Sequence, residues 1–500
     1  MKSLKCQLLE KLSGAFLVWA EEKNPNHNPV NDQYFCYIVE CSDGTYYTGW
    51  STDPSRREKQ HNSGNGAKYT RLHGPVNLVY IEVCPDRSAA MRREYQIKKK
   101  SHQQKRQLIN LYTEEKNMPS NQKAFKYLSV APGRVNLLGE HIDYNDGAVL
   151  PAAIDRNVRL SANPISGNIV HLKAIDLKEK TSFSLDQLDQ KVDLDGNPLP
   201  AWARYPAGVA WAARQKGMPV QAINGEYTSN VPIGAGLSSS AAVEVAFGAL
   251  WQKLGAWTLS RLELAQLCQE AENKYVGVNC GLMDQFASAN GINGNCVYFD
   301  TRSHLSYPVP LPKGSVLIIA NSCVQRSLSS SAYNQRRASC EQAVSILKAY
   351  LPDIKALRDV SPEDFQKYAH FLPQEVRKRA RHVVYECDRV DLAVTFLREN
   401  NAKAFGKLMF ECHASLRDDY EVSIPELDTL VDIAAKLEGC IGSRLTGAGF
   451  GGCTVSLVSE ANSEQFIQEL ATRYFEKTGI RAEVYLCQAS QGVEVFETGL

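Results

Sequence analysis

The chain has 500 residues, of which 56 are Lys or Arg and 55 are Asp or Glu, for a formal charge of +1. That length exceeds one hydrophobic core and predicts about three domains, while the near-zero charge argues against a protein given over as a whole to nucleic acid. The 14 cysteines run from Cys6 to Cys487 without a C-x-x-C or metal-finger spacing, so they read as small buried hydrophobes of a reducing, cytoplasmic environment, and no structural disulfide is expected.

Within residues 1–22, Leu8, Leu9, Leu12, Phe16 and Leu17 recur three and four apart, which predicts an amphipathic helix. Its longest apolar run, Ala15-Phe-Leu-Val-Trp-Ala20, is too short to cross a bilayer and acidic residues follow it directly, so neither a membrane anchor nor a signal peptide is expected. Turn formers from Asn24 to Asp32 read as a linker. Residues 34–112 then form a compact unit with 13 Lys or Arg against 7 Asp or Glu, an excess of +6 that suits a polyanionic partner. A second polar linker, residues 113–122, closes it. From Phe125 onward strand-like and helix-like segments alternate, including a helix over about 258–276 and the apolar strand Cys453-Thr-Val-Ser-Leu-Val458, which predicts an α/β or α+β body.

Three motifs in that body carry chemistry. Ala131-Pro-Gly-Arg-Val-Asn-Leu-Leu-Gly-Glu-His-Ile-Asp-Tyr144 crowds a cation, two carboxylates and an imidazole among glycines, a set suited to holding the hydroxyls of a polyhydroxylated substrate. In Pro232-Ile-Gly-Ala-Gly-Leu-Ser-Ser-Ser-Ala241 the small residues Gly234, Ala235 and Gly236 let backbone N–H groups gather around an anion. Leu237 and the hydroxyls of Ser238, Ser239 and Ser240 lead into an apolar helix whose positive end faces the phosphate. The bland reading of that stretch is a Ser/Gly cap on an ordinary helix. Leu445-Thr-Gly-Ala-Gly-Phe-Gly-Gly-Cys453 is a flexible turn able to fold beside a triphosphate. Outside these motifs the residues are ambiguous: alone, Asp284 reads as a helix cap or surface acid, Glu272 as part of a solvated helix face, and Tyr333 as an exposed aromatic.

Together with Cys280-Gly-Leu-Met-Asp-Gln-Phe286 and Ser330-Ser-Ala-Tyr-Asn-Gln-Arg-Arg337, the motifs resemble those of the GHMP small-molecule kinases, and residues 133–144 resemble the galactokinase signature with Ile142 where threonine is usual. The resemblance implies an α+β, two-lobed kinase fold, with an α/β N-terminal lobe over residues 125–310 and a ferredoxin-like C-terminal lobe over 311–500. It implies ATP-dependent phosphorylation of galactose by a monomer, with ATP and Mg²⁺ as cofactors. By the same resemblance Asp284 is the general base and Arg134 its stabilising partner. Glu140, His141, Asp143, Gly281 and Tyr333 line the galactose pocket, Gly234 to Ser240 bind ATP, and Ser240 with Glu272 holds Mg²⁺. A kinase of N-acetylgalactosamine or a uronic acid, or a galactose sensor without turnover, stands as the alternative.

Residues 34–112 resemble a second family, the small α/β GIY-YIG nuclease-like domains, through Cys36-Tyr-Ile38, Tyr47-Thr-Gly49, Arg56-Arg57, His61 and the helix Arg92-Arg-Glu-Tyr-Gln-Ile-Lys-Lys-Lys100. The name-giving Gly-Ile-Tyr is Cys-Tyr-Ile here, and Tyr-Ile-Gly is Tyr-Thr-Gly. The implied site has Glu94 on Mg²⁺, Arg57 on the scissile phosphate, and Tyr37 or Tyr47 activating water beside His61. An inert basic module that binds nucleic acid weakly is the competing reading. The helix at 1–22 suggests that this unit is inserted within the N-terminal segment of the kinase, an end-to-end fusion being the alternative.

Overall fold

A computed structural model describes residues 34–84, 86–102, 105–106, 108–109, 125–232, 234–324 and 329–498. The helix expected over residues 1–22 and the linker at 113–122 lie outside the described residues. The chain divides into two compact units between Lys123 and Ala124.

In the first unit, strands β1 (Tyr34–Cys41) and β2 (Tyr46–Ser51) form a hairpin, and β3 (Val76–Cys84) pairs on the other side of β1, all antiparallel. As the central strand, β1 buries both its faces, so its apolar residues run without a break. Cys36 and Ile38 pack with Ala90 and Ile97, while Tyr37 and Val39 pack with Val76 on the other side. The helices are α1 (Pro54–Asn62), α2 (Lys68–Leu72) and α3 (Arg87–Lys98). Asp53 and Asp86 cap α1 and α3 by accepting the N–H groups of Arg56 and Ala89 at 2.9 and 2.7 Å.

In the second unit the first lobe is built on β4 (Tyr127–Asn136), β5 (Ala148–Val149), β6 (Pro151–Pro164), β7 (Ile169–Ala174), β8 (Glu179–Ser184), β9 (Ile223–Ser229), β10 (Asn295–Asp300) and β11 (Ser306–Pro310). Its helices are α4 (Arg204–Gln215), α5 (Ser239–Gly255), α6 (Arg261–Glu270) and α7 (Met283–Asn290). Every residue of α5 from Ala241 to Trp251 is buried, as a helix that is apolar on all sides must be. Its neighbours include α4, α6, α7 and strands β4 and β6. A π-helical turn, Ala271–Val276, extends α6 and ends at Gly277 in the left-handed region.

The second lobe holds β12 (Ser315–Asn321), α8 (Ser329–Leu347), α9 (Pro362–Tyr368), α10 (Gln374–Arg398), α11 (Ala402–Asp418), α12 (Pro425–Ala434), β13 (Cys440–Thr446), β14 (Cys453–Ser459), α13 (Ser463–Thr478) and β15 (Glu483–Cys487). Its antiparallel sheet has the order β13-β14-β12-β15. Strand β12 is apolar on two faces: Val316, Ile318 and Ala320 pack with Leu430 and Phe466 of α12 and α13, and Leu317 and Ile319 join the main core.

One boundary needs correction. The expectation placed 311–500 wholly in the C-terminal lobe, yet the last strand, β16 (Glu494–Glu497), returns to the first lobe and pairs with β4. The resulting six-stranded sheet has the order β16-β4-β6-β9-β7-β8. A lone stretch of Val-Phe between glutamates has no local mark of which sheet it joins, because an edge strand is chosen by the edge available. No helix among the described residues is long and apolar enough to cross a membrane.

Candidate active site

The loop before α5 carries Gly234 at φ +71° and Gly236 at +85°, both in the left-handed region that glycine enters without strain. Ser238 follows at φ +59° in the N-cap position, but its hydroxyl does not cap the helix. It donates to Asp284 Oδ2 at 2.5 Å instead. The N–H groups in the first turn of α5 are therefore left to whatever lies ahead of the helix.

Asp284 stands in the first turn of α7, which packs on β4 and so faces Arg134 of that strand. Arg134 is 4% exposed. Its Nε and Nη2 both reach Asp284 Oδ1, at 2.8 and 2.6 Å, and its Nη1 donates to the carbonyl of Gly236 at 2.6 Å. One buried guanidinium thus ties the carboxylate to the glycine loop. Gly133 makes this approach possible, since a methyl group there would lie 2.8 Å from the carbonyl oxygen of Leu237.

Beside this pair opens a cavity of about 350 Å³ lined by Arg134, Glu140, His141, Asp143, Gly281, Asp284 and Tyr333 among others. A larger hollow, about 640 Å³, lies over β7 and β9 and is lined by none of these residues. Burial, and then the charges of Asp284 and Glu140, push the Asp143 carboxyl up to about 7. The Asp143 Oδ2 atom sits where a methyl on Gly281 would be, at 1.9 Å. His141 adopts φ +64° and donates from Nε2 to the carbonyl of Ala448 at 3.2 Å, so its Nδ1 accepts the hydroxyl of Tyr144 at 2.9 Å. Burial drives its pKa down to about 3, which keeps the ring neutral. Tyr333 lies across the rings of His141 and Tyr144, at centroid distances of 5.8 and 5.2 Å.

Glu140 is held from behind. Its Oε2 accepts Arg444 Nη2 at 2.5 Å, and both side chains are almost wholly buried. Arg444 was not anticipated. A lone arginine in the apolar strand preceding a glycine-rich turn was the available signal, because a buried guanidinium requires a partner.

The residues expected around the cation also converge. Glu272, in the π-helical turn, accepts Cys280 Sγ at 3.1 Å, Gln285 Nε2 at 2.6 Å and the hydroxyl of Ser240. Burial raises its pKa. The Gln285 amide also reaches Glu244 Oε2 at 3.0 Å, and the other Glu244 oxygen is buried without a hydrogen-bond partner. Glu244 went unnoticed in sequence, although a carboxylate in the run Ala241-Ala-Val-Glu-Val-Ala246 is conspicuous. Among the described residues no three His, Cys, Asp or Glu side chains form a metal cage of their own. The donors at hand, a hydroxyl and a carboxylate backed by an unpaired carboxylate oxygen, fit a hard cation that takes its remaining ligands from phosphate and water.

In the first unit, Tyr37, Tyr47, Arg57 and His61 meet. The His61 ring stands between Tyr37 Oη, 3.0 Å from its Nε2, and Thr70 Oγ1, 2.7 Å from its Nδ1. The Tyr47 ring stands edge-on to His61 at 5.2 Å, and Arg57 lies within hydrogen-bonding reach of Tyr37. Burial, with Arg57 beside it, lowers the His61 pKa. A methyl on Gly49 would sit 2.6 Å from Tyr37 Oη, so the small residue of Tyr47-Thr-Gly49 makes room for this tyrosine. Glu94 is bound by Lys98 at 2.7 Å, and its charge, after burial and Tyr47, adds to raising the Tyr37 pKa.

Comparison with known proteins agrees with this architecture. Residues 33–107 match the GIY-YIG catalytic domain, 120–164 the galactokinase galactose-binding signature, 204–291 the GHMP kinases N terminal domain and 393–477 the GHMP kinases C terminal domain. A galactokinase of Roseiflexus sp. (strain RS-1) is 47% identical over 363 residues, covering 73% of this chain and 91% of that protein. The galactokinase of Bacillus subtilis (strain 168) is 41% identical over 368 residues, 72% and 92% of the two chains. The crystal structure of Lactococcus lactis galactokinase complexed with galactose superposes with a TM-score of 0.70 at 34% identity, covering 75% of this chain and 95% of that one. A mevalonate kinase at 18% identity and a TM-score of 0.53 shares the fold. The chain belongs to the galactokinase family of the GHMP kinases, is an enzyme of that family, and carries a GIY-YIG domain ahead of its kinase domain.

Proposed function

We propose that the kinase unit transfers the γ-phosphoryl group of ATP to the anomeric hydroxyl of galactose in one in-line step. The observation that carries this reading is the position of Asp284, on the wall of the sugar-sized cavity and joined to the phosphate loop through Arg134 and Ser238. Glu140, His141, Asp143 and Tyr333 hold the sugar, the two carboxyl groups through its hydroxyls and the His141 and Tyr333 rings as surfaces against which it packs. Asp284 accepts the proton of the attacking hydroxyl as the new O–P bond forms and the bond from phosphorus to the ADP oxygen breaks. Arg134 keeps the carboxylate aimed and answers the charge spreading over the phosphoryl oxygens. The loop from Gly234 to Ser240 and the end of α5 receive the ATP phosphates. Ser240 and Glu272 would hold Mg²⁺, which when bound neutralises charge on the β- and γ-phosphate oxygens.

The test is an ADP-release assay over a panel of hexoses for wild type and Asp284→Ala. Galactose should be the preferred acceptor, and the substitution should lower turnover by about 10²–10⁴-fold or more. Equal activity in the two proteins would remove Asp284 from this role, and no turnover on any hexose would end the kinase reading.

For the N-terminal unit we infer Mg²⁺-assisted cleavage of a phosphodiester, supported by the Tyr37–His61 pair with Tyr47 and Arg57 around it. Nicking of supercoiled DNA, or cleavage of RNA, that survives Tyr37→Phe unchanged would rule this out. We also read the unit as an insertion, with residues 1–22 belonging to the kinase. Deleting 34–112 should then spare galactose phosphorylation, whereas deleting 1–22 should impair it, and the opposite pattern would favour an end-to-end fusion.

A further inference from the structure

The turn that presents Glu140 and His141 to the cavity is an improbable piece of backbone. Gly139 has φ +93° and His141, which is not a glycine, has φ +64°. No side chain fits at 139, because a methyl there would lie 2.8 Å from the carbonyl oxygen of Ala148 and 2.9 Å from Val149 Cα. A left-handed histidine persists only where its surroundings over-determine it.

We infer that His382 and Glu386, one turn apart on α10, are positioning residues for sugar recognition that grip this turn from behind. Glu386 Oε1 accepts the N–H of Gly139 at 2.7 Å, and His382 Nε2 donates to the carbonyl of Glu140 at 3.0 Å. The two contacts close on either end of the Gly139–Glu140 segment. Both side chains are wholly buried and neither lines the cavity, so they act on the sugar only through the turn.

The grip is itself held. Arg389 Nε reaches Glu386 Oε2 at 2.7 Å, the Cys412 thiol reaches Oε1 at 3.0 Å, and Ser415 Oγ lies 3.1 Å from His382 Nδ1. Apolar residues of similar size would fill the same space without the cost of burying a carboxylate and an imidazole. What the polar pair supplies is direction: a fixed acceptor for one N–H and a fixed donor for one carbonyl. The turn belongs to the first lobe and α10 to the second, so the aim of Glu140 is set by the opposite lobe.

The inference rests on the assignment of Glu140 to sugar binding, and the experiment separates the two. Galactose and ATP affinities are measured independently by calorimetry for wild type, Glu140→Ala, His382→Ala, His382→Gln and the Glu140→Ala/His382→Ala double variant. His382→Ala should weaken galactose by about ten-fold or more while ATP changes less than about two-fold. His382→Gln, whose amide N–H can occupy the place of Nε2–H, should recover most of the loss. Once Glu140 is alanine, the His382 substitution should add little, because both act on one contact.

Equal losses for galactose and ATP, no loss for either, or full additivity in the double variant would overturn the positioning role. An unchanged galactose affinity in Glu140→Ala would overturn the sugar assignment itself, and the positioning role with it. If His382→Ala does not fold, Ser415→Ala, which removes the hydroxyl behind Nδ1, carries the same selective expectation, and its absence counts against the proposal.

Discussion

The contact between Gly281 and Asp143 offers the sharpest test of the sugar cavity. A methyl group added at residue 281 would stand 1.9 Å from Asp143 Oδ2 and 2.8 Å from its Cγ, whereas real contacts of a Cβ start near 3 Å. Asp143 must therefore retreat by about 1 Å or turn away, or the segment leading into α7 must yield and carry Asp284 with it. A displacement of about 1 Å at a reacting centre costs on the order of 10²-fold. The obstructing atoms belong to a side chain, so the fold itself can absorb the change. Gly281→Ala should accordingly lower kcat/KM for galactose by about 10²-fold, leave KM for ATP within about two-fold, and shift the melting temperature little. Steady-state kinetics with each substrate varied in turn, alongside a thermal melt, read all three. In an Asp143→Ala background the same substitution should add almost nothing, since the obstructed carboxylate is gone. Wild-type galactose kinetics in Gly281→Ala would refute the reasoning, because the carboxylate would then have no required position.

Asp143 also predicts a dependence on pH. Its carboxyl is held at about 7 in the folded chain, well above the ordinary range of an aspartate, so the fold favours the neutral form and loses that preference as pH rises from about 4 through 7. Asp143→Asn should match wild type in thermal stability near pH 4 and exceed it at pH 8, at the expense of galactose affinity; a variant less stable than wild type at pH 8 would contradict the assignment. Glu272→Gln should raise the Mg²⁺ concentration needed for ATP binding by about ten-fold or more, read by calorimetry with galactose affinity as the control. An unchanged Mg²⁺ requirement would remove Glu272 from the cation site.

How much of this was readable along the chain follows from where each interaction lies. The loop at 232–241 could be read directly, because positive φ, small size and hydroxyls are properties of the residues in place. The turn at 139–143 was visible for the same reason. Asp284 was not visible alone: its meaning comes from Arg134, 150 residues earlier, and only the resemblance joined them. Arg444 and His382 are more remote still, 304 and 242 residues from Glu140. Both sit in elements whose pattern is that of ordinary core, and only the chemistry of a charged or polar group where apolar ones were expected marks them out. Strand β16 escaped for another reason, since pairing across a sheet edge is decided by the fold around it. The π-helical turn at 271–276 likewise depends on contacts rather than propensity, and it is this turn that swings Glu272 toward Ser240 and Gln285.

These distances divide the proposed catalytic apparatus between the lobes. Arg134, Ser238 and Asp284 are joined directly, as are Ser240 and Glu272, and all five come from the first lobe, so the proposed base, phosphate loop and cation ligands share one lobe. The proposed sugar site is assembled differently. The turn carrying Glu140 and His141 starts from the same lobe but is bound to Arg444, Ala448, His382 and Glu386 of the other. Tyr144 is bound there too, through the hydroxyl of Tyr420 at 2.7 Å. On this assignment a disturbance of the second lobe reaches the sugar before it reaches the phosphates. Substitutions in α10 and β13 should act on galactose affinity, and those in α5 and α7 on phosphoryl transfer, even where the two sets of residues lie equally far from the cavity.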